Sequence, residues 1–132
     1  MLIDDRRPTI KTPAENFTGD VWLDPIAVPR DDGWTVMVSK VRFSPGARTA
    51  WHSHPSGQTL HVLQGVAWIG TRDGGRTQAH QGQTIWCPPG EEHWHGASPD
   101  SFMEHLAIND TGGDPTTTAL WGAHVTDEEY VG

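Results

Sequence analysis

The sequence is poor in cysteine, in long apolar runs and in basic residues. Cys87 is the one cysteine among 132 residues, which excludes an intrachain disulfide and a thiolate zinc cluster. No run of about 18 apolar residues occurs, and the N-terminal MLIDDRRPTIK lacks the apolar core of a signal peptide. Nine Lys and Arg against 17 Asp and Glu give a net charge of −8, so neither nucleic acid nor an anionic membrane is an expected partner. We therefore expect a soluble, cytoplasmic protein.

Turn-forming residues are abundant, with 15 Gly and 10 Pro. Turn signals recur about every 8–12 residues between short alternating segments, which is typical of an all-β sandwich or barrel. The polar segment 1–18 is expected to be an N-terminal arm, and 19–132 a single barrel domain. The expected extended segments are 21–28, 33–43, 49–55, 58–63, 66–70, 84–87, 92–97 and 101–108, with a hairpin turn at 72–76. Thr126 and Glu129 fit a capping box, which predicts one short C-terminal helix.

Two His-x-His pairs stand out among the eight histidines. His52 and His54 lie two residues apart in an extended segment, and so do His93 and His95. The period-two alternation of a strand places both rings of a pair on one face. Neutral imidazoles that converge from different strands are typical metal ligands. Gln58 begins the next strand, where its side-chain oxygen can point at the same centre.

These residues fall into two motifs that resemble those of the cupin family. The segment from Gly46 to Gly65 matches G-x5-H-x-H-x3-E-x6-G, with Gln58 in place of the usual Glu. The segment from Gly82 to His93 matches G-x5-P-x-G-x2-H, and Ala97 replaces the usual Asn that follows. The resemblance implies a small cupin, which is a double-stranded β-helix or jelly-roll barrel. It also implies that the metal ligands are His52, His54, Gln58 and His93.

A narrower resemblance covers about Phe17 to Tyr130. GARTAWHSHPSGQTL, PGEEHWHGASP, MEHLAI and HVTDEEY are similar to segments of the bacterial manganese-dependent cupin hydroxynitrile lyases, whereas Asn109 and 110–122 diverge. That resemblance implies a lyase that cleaves aromatic cyanohydrins such as mandelonitrile, or forms them from an aldehyde and cyanide. Mn(II) is the expected metal, with Fe(II), Zn(II) or Ni(II) as alternatives. A neutral amide ligand leaves a divalent ion its full charge, which suits a Lewis acid.

His95 and His105 are the candidates for a general base. His95 shares the face of His93, whereas the composition of 101–108 does not decide which of its faces is inner, and the resemblance places His105 inward. A neutral imidazole near the metal would take the hydroxyl proton of the substrate. We expect His105 to be the base and His95 to orient it, although the reverse assignment and a purely structural role for each remain open.

Two other functions use the same residues. A cupin dioxygenase would use the same ligands with dioxygen, and a non-catalytic cupin would bind a small molecule there. Gln58 and the second His-x-His pair favour the lyase over the dioxygenase. Seven Trp on a short barrel and a polar arm that can exchange as an edge strand predict a homodimer or a homotetramer.

Overall fold

Two antiparallel sheets form the framework of the chain, which a computed structural model describes over residues 1–132 except for the side chain of Thr117. The strands are β1 (Ile10–Lys11), β2 (Phe17–Thr18), β3 (Val21–Ala27), β4 (Val36–Phe43), β5 (Arg48–Thr49), β6 (His52–Ser53), β7 (Gln58–Gln64), β8 (Val66–Thr71), β9 (Arg76–His80), β10 (Thr84–Cys87), β11 (His93–Ala97), β12 (Met103–Asp110) and β13 (Leu120–Trp121). A 3₁₀ turn lies at Pro115–Thr117, and one helix, α1, spans Asp127–Val131.

Residues of both sheets form the main hydrophobic core, and a second cluster of Trp51, Trp94, Val125 and Tyr130 lies beside the C-terminal helix. The first sheet has the order β1-β3-β4-β12-β7-β10. The second has the order β13-β6-β11-β5-β2, and β8 pairs with both β11 and β9. The predicted all-β jelly-roll barrel with a short C-terminal helix is confirmed.

Buried and partly exposed side chains alternate strictly along β12, which shows which residues face the core. Every second side chain from Met103 to Asn109 is buried, and His105 is among them. The intervening side chains are partly exposed on the outer face of the first sheet. The same alternation along β7 buries Gln58, whereas His61 faces outward. The inner face that composition left open is therefore the one that carries His105.

The C-terminal helix closes the outer face of the second sheet. Thr126 Oγ1 accepts a hydrogen bond from the Glu129 backbone N–H, and the Glu129 carboxylate accepts one from the Thr126 N–H, so the predicted capping box is present. Tyr130 packs on Trp68 and Trp94 and donates a 2.7 Å hydrogen bond from its hydroxyl to the Ala97 carbonyl. With only five residues in α1, no described helix is long enough to cross a membrane.

Two strands outside the arm, β9 and β13, were missed by the sequence analysis, and the arm has two short pairings. β9 is polar and exposed except at Ala79, so it lacks the apolar alternation that predicts a strand, and only its pairing with β8 reveals it. In the arm, Ile10 pairs with Leu23 of β3, and Phe17 pairs with Thr49 of β5. The residues before β1 are mostly exposed.

Candidate metal centre

Four buried histidines gather where β6 and β11 pair. His93 lies opposite His52 in the register of these strands, and their ring centroids are 4.4 Å apart. The ring of His54 lies 4.9 Å from that of His52 and 5.4 Å from that of His93. The ring of His95 is 5.2 Å from that of His52. Strand alternation and cross-strand pairing thus bring both His-x-His pairs to one place.

Three of these histidines direct Nδ1 at a main-chain carbonyl oxygen. The contacts join His52 to Ala50 O (2.9 Å), His54 to Thr118 O (2.7 Å) and His93 to Glu91 O (3.0 Å). A carbonyl oxygen can only accept, so each Nδ1 carries the hydrogen and each Nε2 keeps its lone pair. This is the tautomer that a metal ion bound through Nε2 requires.

The remaining donor atoms fit a divalent cation. His54 Nε2 is buried and has no hydrogen-bond partner in the described structure, which a metal ion would supply. Gln58 is also buried, and its Oε1 lies 3.4 Å from His93 Nε2. Imidazole nitrogens with one amide oxygen form a donor set that suits Mn, Fe, Zn or Ni. The residues present therefore fit a divalent metal ion.

His95 is set apart by its hydrogen bond rather than by its distance. The ligand atoms of His52, His93 and His95 lie within 4.8 Å of one another, so distance alone would allow His95 to be a ligand. However, His95 Nδ1 faces His105 Nε2 at 3.0 Å instead of a carbonyl oxygen. Because an imidazole nitrogen either donates or accepts, this bond does not fix the tautomer of His95. His54 lies outside that group of three, but its Nδ1 contact makes it a candidate ligand like His52 and His93, whereas His95 pairs with His105.

Burial keeps the whole cluster neutral near pH 7. Desolvation is the largest cause that lowers the pKa of each imidazole, and it acts on His52, His54, His93, His95 and His105. For His105 the pKa falls to about 4. Mutual repulsion of like charges lowers the pKa of His52 and His95 further. Neutral imidazoles are what both metal ligation and general-base catalysis need.

An apolar wall surrounds the His95–His105 pair. The Phe43 ring lies 5.2 Å from that of His105 and 5.9 Å from that of His95. The neighbouring inward-facing side chains are buried as well, namely Val41, Thr49, Leu60 and Met103. Such surroundings withdraw the imidazole pair from water, and Val41, Phe43, Leu60 and Met103 belong to the hydrophobic core.

The other three histidines lie away from this centre, whereas Cys87 lies opposite Gln58 in the pairing of β10 with β7. His61 faces outward, where its Nδ1 contacts Thr84 Oγ1 at 2.9 Å. His124 Nδ1 contacts Thr18 Oγ1 at 3.4 Å on the surface, and His80 is exposed. Cys87 is buried, and burial raises the pKa of its thiol to about 12, so it is not a nucleophile.

Three contributors to the centre were missed by the sequence analysis. Trp121 on β13 stacks on His52 with ring centroids 4.7 Å apart, and Thr118 supplies the carbonyl for His54. Asn109 contacts both Gln58 and His54. All three lie in or beside the segment where the motif resemblance ends, and two of them act through a carbonyl oxygen or an amide that no motif marks.

Similarity to known proteins agrees with the fold. The cupin domain model matches residues 39–109, a span that contains every candidate ligand. The chain belongs to the cupin family.

Three individual proteins show how similar the chain is to particular cupins. The chain is 46% identical over 120 residues to an (R)-mandelonitrile lyase from Granulicella tundricola, which covers 91% of this chain and 89% of that protein. A crystal structure of a cupin-like protein from Thermotoga maritima superposes with a TM-score of 0.85 at 35% identity, covering 98% of this chain and 95% of that one. The polyketide cyclase RemF from Streptomyces resistomycificus, at 19% identity and a TM-score of 0.66 over 83% of this chain and 75% of that one, shares the fold.

Proposed function

We propose that this protein is a metal-dependent lyase that cleaves aromatic cyanohydrins such as mandelonitrile, or forms them from an aldehyde and cyanide. The observation that carries the proposal is the division of the histidines by their Nδ1 partners. In His52, His54 and His93, a carbonyl oxygen binds the Nδ1 hydrogen, so Nε2 keeps a lone pair that can bind a metal ion. His95 instead shares a hydrogen bond with the imidazole of His105. The similarity to an (R)-mandelonitrile lyase supports the same reaction class.

The ligands that we propose are His52, His54, Gln58 and His93, with Mn(II) as the expected ion and Fe(II), Zn(II) or Ni(II) as alternatives. When bound, such an ion supplies a Lewis acid for the substrate oxygen. Because every one of these side chains is neutral, none of them offsets the charge of a divalent ion.

The proton transfer that we propose belongs to the His95–His105 pair. One neutral imidazole takes the hydroxyl proton of the cyanohydrin, and the O–H electron pair forms the C=O bond of the aldehyde as the C–CN bond breaks. Cyanide leaves with the C–CN electron pair and takes the proton from the imidazolium, which gives HCN and the neutral base. His95 adjoins the ligands, whereas His105 contacts His95 from the apolar side. This order supports His95 as the group that meets the substrate and His105 as its partner. That assignment reverses the preference drawn from the sequence.

Oxygen dependence separates the lyase from a dioxygenase that uses the same ligands. We expect the metal-loaded protein to release benzaldehyde and cyanide from mandelonitrile at equal rates under nitrogen and under air, since no electron leaves the substrate. The measurement is cyanide release with oxygen uptake recorded in parallel. Activity that needs air and consumes oxygen in proportion to product favours the dioxygenase. No cleavage of any aromatic cyanohydrin under either gas, with the metal bound, favours a binding protein instead.

We also propose that the chain assembles as a homodimer or a homotetramer. The outer face of the first sheet carries half-buried aliphatic side chains, which are Val38, Leu63, Leu106 and Ile108. The arm exposes 71% of Leu2 and 94% of Ile3. Exposed apolar groups of this kind are typical of surfaces that meet a partner.

Light scattering at micromolar concentration tests the assembly. We expect a mass of two or four times the 14.5 kDa chain. A variant that lacks residues 1–9 is compared with the intact chain to test whether the arm contributes to the assembly. The deletion leaves the strands intact, because β1 begins after residue 9. A monomer mass for the intact chain contradicts the proposal.

A further inference from the structure

Gln58 has two ends of nearly equal shape and opposite chemistry. Its Oε1 accepts hydrogen bonds or binds a cation, whereas its Nε2 only donates. Oε1 lies 3.4 Å from His93 Nε2, on the side of the imidazole cluster. A turn of the amide by half a rotation would place an N–H donor there, and the metal would lose its oxygen ligand.

Asn109 contacts the opposite end of that amide. Gln58 Nε2 donates to Asn109 Oδ1 at 3.3 Å, and both side chains are buried. Asn109 projects inward from β12, which lies beside β7 in the first sheet. The acceptor therefore comes from a neighbouring strand with a fixed position.

The other face of Asn109 meets a metal-ligand candidate whose hydrogen is already engaged. Asn109 Nδ2 lies 3.2 Å from His54 Nδ1, and that Nδ1 donates to the Thr118 carbonyl at the shorter distance of 2.7 Å. Because Asn109 Nδ2 only donates and His54 Nδ1 already carries the hydrogen that it donates to Thr118, this contact is not a hydrogen bond and does not hold the Asn109 amide in place. The hydrogen bond that Asn109 makes in the cluster is the one that Oδ1 accepts from Gln58 Nε2. If the Asn109 amide were reversed, its N–H would face Gln58 and would attract Oε1. The Gln58 amide would then direct Nε2, instead of Oε1, at the metal site.

We infer that Asn109 is a positioning residue that holds the Gln58 amide with its oxygen toward the metal. This inference rests on the proposed metal site. It means that the Gln58 oxygen is directed at the metal only when residue 109 offers a hydrogen-bond acceptor to Gln58 Nε2. Asn109 itself does not touch the metal. A carboxylate at position 58 would not need this help, because its two oxygens are equivalent.

That equivalence gives a double-mutant test whose readout is Mn²⁺ affinity, measured by titration and by the electron paramagnetic resonance signal of free Mn²⁺. Asn109→Leu preserves size and removes the acceptor, so we expect it to raise the Kd for Mn²⁺ by about 10- to 100-fold, the usual effect of losing a partner that orients a ligand. In a Gln58→Glu background, the same Asn109→Leu change is expected to alter Kd by less than about threefold. A change of that size is close to the scatter expected for two independent substitutions.

Asn109→Asp is the conservative control. Aspartate keeps an acceptor for Gln58 Nε2, so we expect an affinity for Mn²⁺ at least equal to that of the wild type. Thermal unfolding of the metal-free variants shows whether each one is folded.

The outcomes separate this inference from the proposed site. An equal loss of affinity in the wild-type and Gln58→Glu backgrounds would mean that Asn109 acts through His54 or through packing, and would overturn the inference. An unchanged Kd in both backgrounds overturns it as well. Failure of the wild type to bind Mn²⁺ or any related ion refutes the metal site itself, which is a different result.

Discussion

Alanine in place of His95 is expected to lower the rate of mandelonitrile cleavage by about 10²–10⁴-fold, the usual contribution of a general base. The bound metal should stay, because His95 Nδ1 is bonded to His105 and is not held in the tautomer of the ligands. His105→Ala is expected to cause a loss of similar size. Since the two imidazoles share one hydrogen bond, the double variant should lose little more than the worse single variant. The measurement is the rate at saturating metal, with metal content determined for each variant.

Glutamine variants tell the base from its partner. Glutamine can donate or accept a hydrogen bond but does not take up a proton near neutral pH. If His95 is the base, His95→Gln is as inactive as His95→Ala, whereas His105→Gln recovers part of the activity that His105→Ala loses. Recovery by His95→Gln but not by His105→Gln would exchange the two roles. Full activity in both alanine variants would rule out the pair as the base.

Alanine in place of His52 is expected to abolish metal retention. His52 is buried, lies opposite His93 across two paired strands, and has its Nε2 lone pair kept free by the Ala50 carbonyl. After growth with added metal and brief treatment with a chelator, we expect about one ion per chain in the wild type and less than about a tenth in His52→Ala, because losing one imidazole removes much of the affinity. Elemental analysis measures both.

His61→Ala is the matched control for that loss. His61 is an imidazole of the same barrel, but it faces outward and contacts Thr84. Its removal should leave the metal content unchanged. A wild type that holds less than about a tenth of an equivalent after metal-supplemented growth would contradict the assignment of the site.

Strand alternation made much of the centre predictable from the sequence. His52 and His54, and likewise His93 and His95, needed only a period of two to share a face, and the motif spacings supplied the pairing between them. The capping box was predictable for the same reason, because it joins Thr126 to the nearby Glu129. Each of these predictions depends on residues close together in the chain.

The remaining features depend on contacts between distant residues. Residues 101–108 read as a strand with two similar faces, so composition does not decide which face is inner. The family resemblance placed His105 inward, and its burial confirms this. β9 has no apolar alternation because its outer side chains meet water. The stacking of Trp121 on His52 follows from the pairing of β13 with β6 across a long separation in the chain. None of these pairings leaves a periodic signal.

The carbonyl oxygens that fix the three ligand tautomers belong to the main chain at Ala50, Glu91 and Thr118. A side-chain substitution at any of these positions leaves the acceptor oxygen in place, provided that the backbone keeps its path. The protonation pattern of the ligands is therefore insulated from ordinary point mutation, whereas the His95–His105 and Gln58–Asn109 contacts are not. Substitutions at His95 or His105 can thus alter the proposed proton transfer while the three candidate imidazole ligands keep the tautomer that metal binding needs.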